Sequence, residues 1–402
     1  MITIEDVLQA RARLLPILAE TPFARGPFLS DQTGLSVYLK KENLQHTGSF
    51  KLRGAFNCIA MLSVAERAKG VIAASAGNHA QGVAYAARHF GVQSYIVMPE
   101  ATPLLKVNAT KNLGAQVILH GANYDDAFAY ATRYGGEHNL TFIHPFADAG
   151  VIAGQGTLAI EMLESVPDLD AILVPVGGGG LISGVAIAAK AINPQIKVIG
   201  VSAAGAPAMR TSFHEKRAID SLSVRTIADG IAVRDTSPIT LEYLLKYVDD
   251  LLEVDDEEIA NAILFLIEKQ KLVVEGAGAV GVAALLHNRT DLPKGAKVGV
   301  LLSGGNIDVT MLAVIIEKGL IKSSRKMELT VTLIDKPGSL QMLSAALSEV
   351  SANIVHIDYD RTARSLDYGD ANVSVSLETK GTEHQVQIRA KLKACGFVFQ
   401  EA

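Results

Sequence analysis

Cysteine is nearly absent from the 402-residue chain, which carries only Cys58 and Cys395, far apart in sequence. Neither a disulfide framework nor a zinc knuckle is therefore expected. Long basic runs are missing too, and with a formal charge of -5 the chain has no electrostatic footprint for nucleic acid or an anionic lipid surface. No stretch reaches the ~18 uninterrupted apolar residues of a membrane span, and the opening run from Met1 to Asp6 is not a basic segment leading into an apolar one. HExxH and paired CxxC motifs do not occur, so no metal is expected. These absences point to a cytoplasmic protein that acts on small molecules, with neither nucleic acid nor membrane as partner.

What is present is a chain of 49% hydrophobic and 20% charged residues whose 35 glycines cluster locally. That composition fits a globular protein too long for a single comfortable core. From about 36 to 320, short β-branched runs alternate with Ala-rich helical segments, the rhythm of βα units feeding a parallel sheet. Strands are expected at 70–74, 94–98, 116–119, 171–176, 197–201 and 297–302, and helices at 80–90, 104–113, 124–137, 157–164 and 183–191. After Leu320 the polar run 322–326 leads into a period-two segment with Leu329, Val331 and Leu333 on one face. The remainder reads βαββαβ, a ferredoxin-like unit.

Four segments carry chemistry, three of them strand-to-turn junctions and one a polar turn that introduces a helix. In VPVGGGGL (174–181) a buried-looking strand runs into four glycines and a helix. Free amides at a helix start bind phosphate, and glycine allows close approach, although such turns also serve packing alone. A dinucleotide site fails on spacing, since there is no GxGxxG and no Asp or Glu lies between Asp170 and Glu215 to hold a ribose hydroxyl.

In QHTGSFKLRGA (45–55), Lys51 sits in the first helical turn, where the dipole disfavours an ammonium and so favours a nucleophilic amine. An ordinary surface lysine is the other reading of that position. In AASAGNHAQG (73–82), Ser75, Asn78 and exposed amides could hold a carboxylate. A hydrolase elbow there would need glycine in place of Ala73. In VLLSGGN (300–306), Ser303 emerges at a strand's C-terminal end, where open α/β sheets bind ligands; it could also cap the helix starting near Asp308.

Taken in order, SFKLRGA, SAGNHAQG, IAGQGT, GGGGLISG, EGAGAVG and SGGN resemble the threonine ammonia-lyase group of the tryptophan-synthase-β-like pyridoxal-phosphate enzymes, over roughly residues 5–320. The resemblance implies an α/β fold of two open, mainly parallel sheets in a catalytic region 1–320, with a smaller subdomain of roughly 70–147 inserted in the larger one. It implies pyridoxal 5'-phosphate as cofactor, Lys51 as its covalent anchor and as the base at Cα, and Phe50 against the ring. Asn78 would bond the 3'-oxygen, the amides of Gly178, Gly179, Gly180 and Leu181 would cradle the phosphate, and Glu275 would lie near the ring edge.

Ser303 would meet the ring nitrogen, and a neutral hydroxyl there does not enforce a protonated ring, which favours prompt loss of a β-substituent. Ser75, Ala76, Gly77, Asn78 and His79 would grip the substrate carboxylate. The expected reaction converts L-threonine to 2-oxobutanoate and ammonia, and L-serine to pyruvate, with the cofactor phosphate helping the β-hydroxyl to leave. Alternatives are a serine or 3-hydroxyaspartate ammonia-lyase and a serine racemase. The stretch 202–208 lacks the carboxylate that the metal site of related racemases would need.

Residues 327–402 resemble an ACT domain, on DKPGSL (335–340) and Asn353. That resemblance implies an α+β ferredoxin-like regulatory module in a homodimer or homotetramer, with Asp335, Gly338 and Asn353 around an amino-acid effector, isoleucine or valine being the expected ligands. A dimerisation module and a non-catalytic amino-acid sensor are the other possibilities.

Overall fold

The computed structural model describes residues 1–363 and 366–401. Two compact units, Met1–Ile307 and Asp308–Ala402, divide the chain. In the first, ten strands run in chain order: β1 (Phe23–Arg25), β2 (Ser36–Lys41), β3 (Val71–Ala74), β4 (Ser94–Met98), β5 (Gln116–Leu119), β6 (Thr141–Phe142), β7 (Ala171–Pro175), β8 (Lys197–Ala203), β9 (Asp250–Val254) and β10 (Lys297–Leu302). They form a six-stranded sheet of order β1-β2-β10-β7-β8-β9 and a four-stranded sheet of order β5-β4-β3-β6. All pairings are parallel except β1 with β2. The all-buried runs at β3 and β7 are what a parallel strand covered on both faces requires.

Six helices position the site: α1 (Lys51–Met61), α2 (Asn78–His89), α3 (Tyr124–Glu137), α4 (Ala149–Ser165), α5 (Gly180–Ile192) and α6 (Gly276–Leu286). Helix α4 begins eight residues before the expected 157, because the Asp148 side chain accepts from the Val151 amide at 2.9 Å and caps it. Its early turns contain Gly150, Gly154 and Gly156, which read as loop punctuation but are packing positions. A Cβ on Gly154 would stand 2.6 Å from the Arg53 carbonyl oxygen, and one on Gly184 of α5 would stand 2.2 Å from that of Ile152. Backbone-close crossings of α4 with α1 and α5 therefore anchor the helix that begins at Lys51.

In the second unit, α7 (Val309–Lys322) precedes β11 (Lys326–Ile334), α8 (Ser339–Glu349), β12 (Asn353–Asp360), β13 (Asp370–Glu378), α9 (Thr382–Ala394) and β14 (Val398–Glu401). The antiparallel sheet has the order β12-β13-β11-β14, the ferredoxin-like arrangement. Met327, Leu329, Val331 and Leu333 alternate into its core with Val373, Val375, Leu343 and Ile388. The unit starts at Asp308, so α7 is grouped with it and the composition change after Leu320 falls inside the unit.

Candidate active site

The turn before α1 is clasped to the end of β10. Phe50 donates its amide to the Ser303 carbonyl at 3.0 Å, Gly305 donates to Gly48 at 2.9 Å, and Asn306 Nδ2 donates to the Thr47 carbonyl at 2.9 Å. Two motifs some 250 residues apart thus become one surface at the strand ends. Ser303 is almost wholly buried. It does not cap the following helix: Asp308 does, by accepting from the Thr310 amide at 2.8 Å.

Lys51 opens α1 with its backbone against Gly82 of α2, where a Cβ would stand 3.1 Å from the Lys51 carbonyl. Its Nζ donates to the Pro145 carbonyl at 2.9 Å and lies 5.3 Å from the centre of the Phe50 ring. Burial pushes this amine down to about 8, against the charge of Glu275, which holds it up. The sequence pointed to the helix dipole as a cause; the structure adds removal from water.

Asn78 does not stand alone. Its Nδ2 donates to both oxygens of the Glu275 carboxylate, at 2.7 and 3.0 Å, and its Oδ1 accepts from Asn306 Nδ2 at 2.6 Å. Burial pushes Glu275 up to about 7, the charge of Asp229 adds to this, and the Asn78 bond opposes it. Asn306 was visible at the end of SGGN, but no local signal gave it a partner 228 residues away.

Gly179 caps α5 in the left-handed region at φ 85°, and no described oxygen accepts from the amides of Gly178, Gly179, Gly180 or Leu181. These glycines also pack: a Cβ on Gly178 would meet the Phe146 ring at 2.5 Å, and one on Gly180 the Phe146 carbonyl oxygen at 2.4 Å. Close packing and free backbone amides therefore coexist in one turn.

The 75–79 turn is likewise a helix start, with Gly77 as N-cap of α2 and its amide donating to Ser75 Oγ at 3.2 Å. Ala76, Asn78 and His79 leave their amides without a described acceptor. The His79 side chain is not available with them. It is buried, its Nε2 bonds the Ile143 carbonyl at 2.9 Å, and burial first and the Lys51 charge second push it down to about 3. Among the described residues no group of three or more His, Cys, Asp or Glu is placed to hold a metal ion.

The hydroxyls of Thr47 and Ser49, which flank the clasp, are buried without a hydrogen-bond partner. Unpartnered buried hydroxyls cost free energy unless a ligand completes them. Together with a free-amide cradle at a helix start and a partly desolvated amine, they fit a cofactor bearing one phosphate and a carbonyl that an amine can attack.

In the second unit, Asp335 accepts from the Tyr359 hydroxyl at 3.1 Å and pairs with Arg361 at 3.2 Å, and Gly338 leads into α8 at φ 93°. Asn353 is elsewhere: it pairs with Glu378 at the far end of the sheet and bonds that carboxylate at 2.7 Å, whereas Ile334 pairs with Asp370 at the near end. Within one copy the structure therefore brings Asp335 and Gly338 together at one end of the sheet and leaves Asn353 at the other.

A family profile described as pyridoxal-phosphate dependent enzyme matches residues 14–304. The chain is 49% identical to the L-threonine ammonia-lyase of Thermotoga maritima, over 99% of this chain and 98% of that one. It is similar to the processed form of threonine deaminase isoform 2 from Solanum lycopersicum, with 38% identity, a TM-score of 0.74 and coverage of 78% of this chain and 93% of that one. Maize serine racemase is also similar, with 36% identity, a TM-score of 0.75 and coverage of 80% and 98%.

Proposed function

The chain belongs to the family of pyridoxal-phosphate dependent enzymes, and on that premise we propose that it is a carbon-nitrogen lyase that converts L-threonine to 2-oxobutanoate and ammonia. The near full-length likeness to an L-threonine ammonia-lyase supports this choice within the family. One observation in the site carries it: a half-buried amine, Lys51, held by the Pro145 carbonyl, in a site that also holds free amides at a helix start and a buried serine, Ser303, at a strand end.

Pyridoxal 5'-phosphate, when bound, supplies an electron sink conjugated to the substrate's Cα. Lys51 is its anchor, and with its proton affinity brought near 8 the amine takes the α-proton at a pH where a surface lysine would stay charged. The amides of Gly178 to Leu181, aided by the α5 dipole, hold the phosphate. The amides at the start of α2, with Ser75, would hold the substrate carboxylate, and Ser303 would offer the ring nitrogen a hydroxyl that imposes no charge. Phe50 would pack on the ring, and Glu275, gripped by Asn78, would stand near its edge.

L-serine is a further substrate in this reading. The second unit serves as a regulatory ACT module that binds isoleucine or valine around Asp335 and Gly338 in a homodimer or homotetramer. No described helix is long and apolar enough to cross a membrane, and the scarcity of cysteine supports a cytoplasmic location.

Purified protein mixed with L-threonine, L-serine and 3-hydroxyaspartate should give the highest kcat/KM for threonine, read as 2-oxo acid formed. Lys51→Ala should lose both turnover and the cofactor's lysine-linked absorbance. Exchange of L- and D-serine without 2-oxo acid would replace the lyase reading with that of a racemase.

A further inference from the structure

The segment from His144 to Phe146 touches two parts of the site, and no motif in the sequence pointed to it. It follows β6 at the carboxyl edge of the smaller sheet. Pro145 gives its carbonyl to Lys51 Nζ at 2.9 Å, and the Phe146 ring closes on Gly178. Between the strand and these contacts stands the half-buried imidazole of His144.

Its tautomer is set by the backbone. Nδ1 accepts from the amides of Phe146 at 3.2 Å and Ala147 at 2.9 Å. A ring nitrogen that accepts from two donors carries no proton, so the proton sits on Nε2. Among the described residues Nε2–H has no acceptor, and it is not sealed in the interior. Phe146, Phe128 and Phe142 surround the ring, each edge-on to it. Burial is the largest influence on it and pushes the imidazole down to about 4; of the charged groups, Asp148 opposes this and Lys51 adds to it.

We infer that His144 is a neutral hydrogen-bond donor, through Nε2–H, to the β-oxygen of the bound hydroxy-amino acid, an inference that rests on the lyase reading above. The substrate's carboxylate has the amide-rich start of α2 for its partners, and the β-hydroxyl, which the cofactor phosphate is expected to help leave, can accept from a side-chain donor as well. As the Cβ–O bond breaks, the electron pair goes to oxygen, and a fixed donor there stabilises the charge that develops. His144 keeps its proton. The proton removed from Cα and the departing hydroxide together account for the water released, so neither oxidant nor reductant is needed.

The test compares leaving groups on the holoenzyme. L-serine and 3-chloro-L-alanine differ only in the β-atom, and chloride leaves without a hydrogen-bond donor. In His144→Leu, kcat/KM for L-serine and L-threonine should fall by about a hundredfold, while that for 3-chloro-L-alanine should stay within about threefold. His144→Gln, which restores an N–H donor, should recover part of the loss with the hydroxy substrates alone.

A second readout needs no turnover: nitrogen NMR of the wild-type histidines should show His144 as the neutral Nε2–H form across neutral pH. Equal losses with both leaving groups, no loss with either, or an Nδ1–H or cationic imidazole at neutral pH would each overturn the donor role while leaving the lyase reading intact. A wild-type enzyme inactive on all three substrates would remove the lyase reading and this one together.

Discussion

Lys51 owes its lowered proton affinity to burial, a cause that its place at a helix start did not reveal. If burial sets its proton affinity near 8, covalent attachment of pyridoxal 5'-phosphate to the cofactor-free protein should accelerate with pH through about 8 and then level off, because only the neutral amine attacks. Stopped-flow absorbance from about pH 6 to about pH 10 reads this directly, and a rate still climbing at the top of that range would mean an ordinary lysine.

Two residues on, Arg53 is buried with its guanidinium on Glu42 at 2.8 Å and Glu161 at 2.5 Å, and Lys40 pairs with the same Glu161 at 2.7 Å. Removing one buried partner leaves a charge uncompensated. Glu42→Gln should therefore cost about 3–5 kcal/mol in denaturant unfolding. Glu164→Gln, which breaks the exposed pair with Arg11, should cost no more than about 1 kcal/mol.

Helices α1, α4 and α5 meet backbone to backbone, and glycine is what permits the approach. At Gly184 a methyl group would stand 2.2 Å from the Ile152 carbonyl oxygen and 2.7 Å from the Gly156 amide, neither of which can turn aside as a side chain could. Gly184→Ala should destabilise by about 1–3 kcal/mol or more, seen as a lower Tm, and should misplace α4 and with it the helix that carries Lys51. Gly136 in α3 faces open space within 4 Å, so Gly136→Ala should be neutral or stabilise by a fraction of about 1 kcal/mol. Equal effects at the two positions would show that helix propensity, and not the crossing, governs both.

The molecule as a whole joins a cofactor-bearing α/β unit to an α+β unit with its own apolar core. If the second unit senses the end product of a branched-chain route, isoleucine or valine should give a binding isotherm by calorimetry and change the rate with threonine, through unequal affinity for two states of the assembly. Asp335→Ala should weaken that binding without altering threonine turnover in the absence of effector. No heat and no change in rate with either amino acid would end the regulatory reading.

Much of this was legible in the residues themselves. Strands at 94–98, 116–119 and 297–302 coincide with those observed, because short β-branched runs bounded by turn residues signal themselves locally. The helix at 124–137 coincides too, with Asn123 as its cap. The chemical candidates were local as well: a lysine at a helix start, glycines after a strand, a serine at a strand end.

Whatever depended on distant partners was hidden. The start of α4 lay among glycines whose purpose appears only when α1 and α5 stand against them. Asn78 became one member of a chain with Glu275 and Asn306, and Asn353 parted from Asp335 because strand register, which sequence spacing does not reveal, put them at opposite ends of a sheet. His144 was unremarked because its tautomer is decided by two backbone amides, and its neighbourhood by a turn that closes over Gly178. Residue types and local periodicity determined which chemistry this chain could attempt; long-range packing and burial alone decided which groups meet, and which of them are neutral when they do.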